Sequence, residues 1–140
     1  GSNSLQDGVI PLKYKIESNN AGNQCQTDWI VYRYADVLTL LAEAIVREGN
    51  TVTTEAINLL NQVRTRAGLI AYTASSFSSA RDFLDKLLIE RAHEFYFEGC
   101  RRQDLIRDGS YVATMKQKCT DYGQVSIIAG QGIIKQNPGY

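Results

Sequence analysis

Residues 29–68 read WIVYRYADVLTLLAEAIVREGNTVTTEAINLLNQVRTRAG, and the fold turns on this stretch. Val31, Tyr34, Leu38, Leu41, Ala42 and Ile45 recur at helical spacing. They lie within about 60° of Leu38 on a helical wheel. Arg33, Asp36, Glu43 and Arg47 fall on the opposite side. Thr27 or Asp28 is placed to cap the start, and Gly49-Asn50 stops a helix about 30 Å long. A second helix follows at once, capped by Thr53 or Thr54, with Ala56, Leu60, Val63 and Ala67 as its stripe. Gly68 suits the left-handed position after its last turn. So short a link forces the two helices into an antiparallel hairpin.

Working outward, residues 1–28 read as an irregular or extended N-terminal segment, and Gly1-Ser2 has the look of a tag scar. After Pro11 the run to Ile16 alternates apolar and polar, as a short strand would, and residues 18–23 are turn chemistry. Downstream, residues 69–77 form a Ser/Thr-rich loop. Ser78 or Ser79 then caps a third helix with Asp82 in its first turn. Ala80, Leu84, Leu87, Leu88 and Phe95 form its stripe, and Gly99 is its expected end. A fourth helix over about 101–107 closes at Asp108-Gly109, and a further short one fits 111–118. The Gly-rich tail from Asp121 reads as extended and packed on the helices. The expectation is an all-α domain of successive helical hairpins in solenoid-type packing. Its parts are a core over 29–109, the segment before it, and a short helix and tail over 110–140.

Composition narrows the function. Lys+Arg 15 equals Asp+Glu 15, and no basic stripe occurs, so a nucleic-acid partner is not expected. The three cysteines, Cys25, Cys100 and Cys119, form no CxxC, and His93 is the single histidine. No metal site and no cofactor is expected from such a set. The odd cysteine count leaves open one disulfide plus one thiol.

The third helix carries charges where its apolar stripe should continue. Relative to Leu88, Arg91, Glu94 and Glu98 lie at about −60°, −120° and −80° on the wheel, in the sector of Ala80, Leu84 and Leu87. Arg64 similarly lies about 40° from Leu60. Buried charges are costly unless paired, so an internal ion-pair network is expected. In it Arg64, Arg91 and Arg101 or Arg102 meet Glu94, Glu98 and Asp104. A glycosidase reading would use Glu90 and Glu94 as its carboxylate pair. Arginine neighbours depress a carboxyl pKa, whereas a catalytic acid needs it raised, so no enzyme is expected.

These same stretches resemble the SusD/RagB family. Tyr32-Arg33-Tyr34-Ala35-Asp36-Val37-Leu38 with Ala42-Glu43-Ala44 is similar to its RYADVLLxxAEA helix. Residues 57–69, INLLNQVRTRAGL, resemble its IN-x-VR-x-RAGL helix, and residues 90–109, ERAHEFYFEGCRRQDLIRDG, its ERxxELxxEGxRxxDLxRxG motif. The ending QNPGY, residues 136–140, also looks like the family's C-terminus. The resemblance implies tetratricopeptide-like hairpins in the C-terminal portion of a longer Bacteroidetes lipoprotein. It implies display on the outer face of the outer membrane, held there only by a lipid anchor absent from this chain. It implies glycan or other nutrient capture for a SusC-like, TonB-dependent transporter. The alternative is a purely structural, transporter-docking scaffold.

Sugars are gripped by aromatic faces, so Trp29, Tyr72 and Tyr122 are the ligand-binding candidates, with Tyr111 beside them. Tyr72 and Tyr122 stand in loops, where function concentrates. Tyr32, Tyr34, Phe95, Tyr96 and Phe97 read as core. His93 reads as a surface or network residue and Cys100 as a half-buried thiol.

Overall fold

The structure, a computed structural model, describes Lys13, Asp28 and residues 30–121, the last three without their side chains. Five α-helices and no strand occur among these residues. The chain divides into two compact units between Gly99 and Cys100. The expected strand before Ile16, the turn over 18–23 and the extended tail lie outside the described residues, as do Trp29 and Tyr122.

The first unit holds α1 (Tyr34–Gly49), α2 (Thr54–Arg66) and α3 (Ala80–Glu94). The α1–α2 hairpin is the one the sequence predicts, and α3 packs on both of its helices. The α2 boundaries follow from local chemistry. Thr53 Oγ1 accepts the Ala56 N–H at 3.1 Å, removing one of the unsatisfied donors of the first turn. At the other end Gly68 takes φ +78. Its N–H donates to Thr65 O and that of Leu69 to Arg64 O, each at 3.0 Å, a Schellman closure that a Cβ would strain.

The first helix is shorter than expected and turned about its axis. It begins at Tyr34, after Arg33, with no side-chain cap. Its buried residues are Ala35, Asp36, Leu38, Thr39, Ala42, Glu43 and Val46. Tyr34 is 70% exposed and Leu41 45%, so the stripe drawn through Tyr34, Leu38 and Leu41 is corrected to one through Ala35, Leu38, Ala42 and Val46. Asp36 and Glu43 turn inward because each has a cation to meet: Arg91 for Asp36 and Arg47 for Glu43.

The core joins all three helices through Val46, Ile57, Leu60, Phe83 and Leu87. Phe83, absent from the predicted stripe of α3, is fully buried. Phe77 lies against it with ring centroids 4.9 Å apart, and Tyr72 meets Phe77 edge-on at 5.1 Å. This aromatic chain ties the loop over 69–77, which holds a short 3-10 turn at Ala74–Ser76, down onto α3. The third helix ends at Glu94 rather than at Gly99. Phe95 turns into the core at 4% exposure, and Phe97 takes the left-handed φ of +68.

The second unit holds α4 (Arg101–Asp108) and α5 (Tyr111–Asp121), packed on each other. Gly109, at φ +81, closes α4. The Arg102 guanidinium stands 5.8 Å from the Tyr111 ring centroid. Among the described residues no helix is long and apolar enough to cross a membrane.

Leu60 is fully buried at the centre of the hairpin. Leu60→Ala is expected to lower unfolding stability by about 2–5 kcal/mol through transfer and cavity terms together, read as a shift in the urea midpoint at constant slope.

Candidate functional site

Arginines from three segments, Arg33 before α1, Arg64 and Arg66 on α2 and Arg91 on α3, meet the carboxylates of the first unit. Arg33, in the extended residue before α1, reaches the end of α3. Its Nε donates to Glu98 Oε2 at 2.9 Å and its Nη2 to Glu98 Oε1 at 3.0 Å, a two-pronged grip that suits guanidinium and carboxylate geometry. The same guanidinium pairs with the Glu94 carboxylate and donates to the Glu94 backbone carbonyl at 2.7 Å. Its plane also lies 4.4 Å from the Phe95 ring centroid. Arg66, from the end of α2, adds a bond to Glu94 Oε1 at 2.5 Å, and Lys13 pairs with Glu98.

Electrostatics follow from this crowding. Burial works against the charge on Arg33, yet its bonds to Glu98 and Glu94 outweigh it and raise the pKa above the ordinary arginine value. Burial likewise opposes ionisation of Glu98, and the bonds from Arg33 and then Lys13 overcome it, holding the carboxyl below the usual glutamate range.

Arg64 makes the second centre. It pairs with Glu90, donates through Nε to Ile70 O at 3.1 Å, and lies 3.8 Å above the Tyr72 ring. The Tyr72 hydroxyl donates to Glu90 Oε1 at 3.0 Å. Burial, with that bond to a carboxylate, pushes the phenol pKa up. Asn61 fixes the Tyr72 backbone from both sides, at 2.7 and 2.9 Å.

Arg91 makes the third, and its side chain is only 3% exposed. Nη1 stands 2.7 Å from Asp36 Oδ1, a charge contact without hydrogen-bond alignment. The aligned bond from Nη1 goes to Thr39 Oγ1 at 2.5 Å, and that hydroxyl donates onward to Ala35 O at 2.9 Å.

The expected network residues are therefore placed as follows. Arg64 meets Glu90, Arg91 meets Asp36, and Glu94 and Glu98 meet Arg33. Asp104 pairs with Arg107 at 2.9 Å within α4, and Arg101 is exposed on α4. Arg33, Asp36 and Glu90 enter as partners that the wheel argument did not assign. Arg33 precedes α1, so no helical wheel applies to it. The signal available in the sequence was the surplus of carboxylates at the end of α3, which needed cations from another segment. Tyr72, a ligand-binding candidate, has its ring beneath Arg64 and its hydroxyl engaged by Glu90. Tyr34 and Tyr96, read as core, are exposed at 70% and 57%. Trp29 and Tyr122 lie outside the described residues.

Beside the Arg33 cluster opens a cleft of about 420 Å³ between the start of α1 and the end of α2. Leu38 and Val63 form its apolar floor, and Arg33, Tyr34, Gln62 and Arg66 its rim. Glu94 pairs with both arginines and Glu98 with Arg33, so the guanidinium groups of the rim are ion-paired hydrogen-bond donors. No cluster of metal-ligating side chains occurs among the described residues.

Comparison with known proteins gives one family. The chain matches the SusD family over residues 2–140. A SusD-like protein of Formosa agariphila is 37% identical over 95 residues, 64% of this chain and 18% of that protein. The starch-binding protein SusD of Bacteroides thetaiotaomicron is 34% identical over 85 residues, 61% of this chain and 14% of that protein. A crystal structure of a SusD homolog from Bacteroides thetaiotaomicron superimposes with a TM-score of 0.60 at 38% identity, over 68% of this chain and 19% of that one. The helical hairpins are thus of the tetratricopeptide-like kind. The chain spans less than a fifth of each of these relatives.

Exposure separates the arginines in energy. Arg91→Ala leaves Asp36 buried without its cation and is expected to destabilise by about 3–5 kcal/mol. Arg66, 61% exposed at its side chain, is expected to lose less than about 1 kcal/mol on the same change. Chemical denaturation of both variants checks the contrast. Glu98 sets a pH dependence. Its folded-state pKa is depressed, so its contribution is complete above the ordinary glutamate value of about 4.3 and fades as pH falls through the folded value. Glu98→Gln is expected to flatten the acid limb of a stability–pH curve measured by thermal melts.

Proposed function

This chain belongs to the SusD family, and from that premise we propose that it serves nutrient capture at the cell surface. In this reading it helps bind a glycan on the outer face of the outer membrane, where a lipid anchor holds the protein. A SusC-like, TonB-dependent transporter then takes the ligand. The observation that carries the reading is the match of these helices to a relative named for starch binding. The chemistry of the charge clusters agrees with binding rather than turnover. Glu90 is engaged by Arg64 and Glu94 by Arg33 and Arg66, so both carboxylates already serve as ion-pair partners between segments of the fold.

A specific observation favours a second reading, in which this portion scaffolds a site carried elsewhere and docks the transporter. Tyr72 is spent on Arg64, Phe77 and Glu90, leaving its ring poorly placed to stack on a sugar. Ligand contact within this chain would then fall to Trp29 and Tyr122.

Affinity electrophoresis of the chain in soluble starch, beside a full-length SusD-like relative, separates the two readings. Retardation of both supports a ligand contact here; retardation of the relative alone supports the scaffold. Tyr72→Phe is expected to leave any retardation unchanged while lowering stability by about 0.5–1.5 kcal/mol through the lost bond to Glu90. Trp29→Ala and Tyr122→Ala are expected to weaken it about tenfold or more.

A further inference from the structure

The balance of charge over the whole chain conceals a segregation that burial brings out. Residues 101–118 hold five basic side chains and two acidic ones, in a chain that totals zero. Asp104 is buried and Asp108 half-buried, whereas Arg101, Arg102, Arg107, Lys116 and Lys118 are exposed. The exposed charges of α4 and α5 are therefore all of one sign among the described side chains. Arg107 is held by Asp104. Arg102 differs from the arginines of the first unit. All six of those meet a carboxylate, while Arg102 meets the ring of half-buried Tyr111, 5.8 Å from its centroid.

We propose that the α4–α5 hairpin binds the acid groups of an anionic polysaccharide, uronate carboxylates or sulfate esters, with Arg102 as the gripping residue. A cation–π contact uses the flat face of a guanidinium and leaves its edge N–H donors for an oxyanion. The Tyr111 ring restrains the Arg102 side chain, so less rotamer freedom is lost when a ligand is held. A carboxylate or sulfate then accepts two parallel N–H bonds from the one guanidinium. Lys116 and Lys118 add point charges on flexible stems, which tolerate the varied spacing of acid groups along a polymer. Lys118 lies about two turns on from Tyr111 along the same side of α5. A neutral glucan gains nothing from such a field. The inference thus names an acidic class of ligand for the proposed glycan capture and rests on that reading. A membrane surface fits less well, because an interfacial helix needs a broad apolar side, and the large apolar residues exposed on α4 and α5 are Ile106 and Val112, one on each. A nucleic-acid binder usually carries a basic excess over its whole domain, which this chain lacks.

The test titrates the 140-residue chain by calorimetry with polygalacturonate, dextran sulfate, neutral dextran and soluble starch. One of the two acidic polymers is expected to bind at least about tenfold more tightly than neutral dextran, and less so as salt rises. Which one binds tells carboxylate from sulfate. Arg102→Gln is expected to weaken that binding about tenfold or more, as when charge-assisted bonds are lost, while Tm stays within about 2 °C, as at exposed sites. Arg102→Lys keeps the charge without the fork and is expected to restore only part of the affinity. Lys116→Gln combined with Lys118→Gln is expected to weaken binding about threefold and to flatten its salt dependence. Arg81→Gln, at an exposed arginine of the first unit, is expected to change nothing. The proposal is overturned if neither acidic polymer outdoes neutral dextran, or if Arg102→Gln leaves the binding unchanged. An equal loss at Arg81 overturns it too, by reducing the effect to general charge attraction. Duplex DNA or anionic phosphatidylglycerol vesicles bound as tightly as the better polymer would give the surface to those partners instead. Starch bound without either acidic polymer sinks this inference and leaves glycan capture standing, whereas no glycan bound at all defeats both.

Discussion

The register of the first helix against the third depends on Arg91. Its side chain is nearly closed off from solvent and faces Asp36 and Thr39 of α1. A buried ion pair adds little net stability over apolar packing, but it penalises every arrangement in which either charge loses its partner. If α1 slid or rotated so that Tyr34, Leu38 and Leu41 faced inward, Asp36 would leave Arg91 uncompensated in the core. The hydrophobic terms are less selective, because α1 has apolar residues on both sides. Charge therefore chooses the face, and apolar area supplies the driving force once the face is chosen.

The two other arginine centres extend the same logic to the ends of the helices. Arg33 ties the strand-like residue before α1 to the last turn of α3 and the turn beyond it. Arg64 ties α2 to α3 while binding the Ile70 carbonyl, and so holds the loop that follows α2. Each links segments separated in sequence, and each is partly shielded from water, where pairing is screened least. The motif that looks most like chemistry, the Glu90–Glu94–Glu98 series, is thereby occupied in holding three segments together.

This arrangement explains which parts of the fold were legible beforehand. The second helix was read nearly to its ends because its limits are local. Thr53 caps it and Gly68 closes it, and both signals lie in adjacent residues. The existence of a charged network was also legible, since charges on an apolar stripe demand partners. Its pairings were not, because a partner such as Arg33 sits on another segment and outside any helix. The orientation of α1 failed for a related reason. An apolar moment points to the core only when one side is apolar, and here the decisive residues were Asp36 and Arg91. The end of α3 was misplaced because the chain leaves the helix at Phe95 and Phe97 already takes a left-handed conformation two residues before Gly99 does, a choice that bulky residues seldom make.

The sugar-site candidates failed to separate in the sequence on similar grounds. Tyr72 is an aromatic in a polar loop, which favours a ligand platform, yet the loop is not loose. Asn61 clamps its backbone, Phe77 meets its ring edge, and Arg64 covers its face. A tyrosine so placed gains more by closing the Arg64–Glu90 pair against water than by waiting for a ligand. Its burial lowers the dielectric around that pair, and in a drier setting the pair both strengthens and becomes costlier to break. The ring, the guanidinium and the carboxylate are thus one unit. The same three residues hold the loop after α2 against α3.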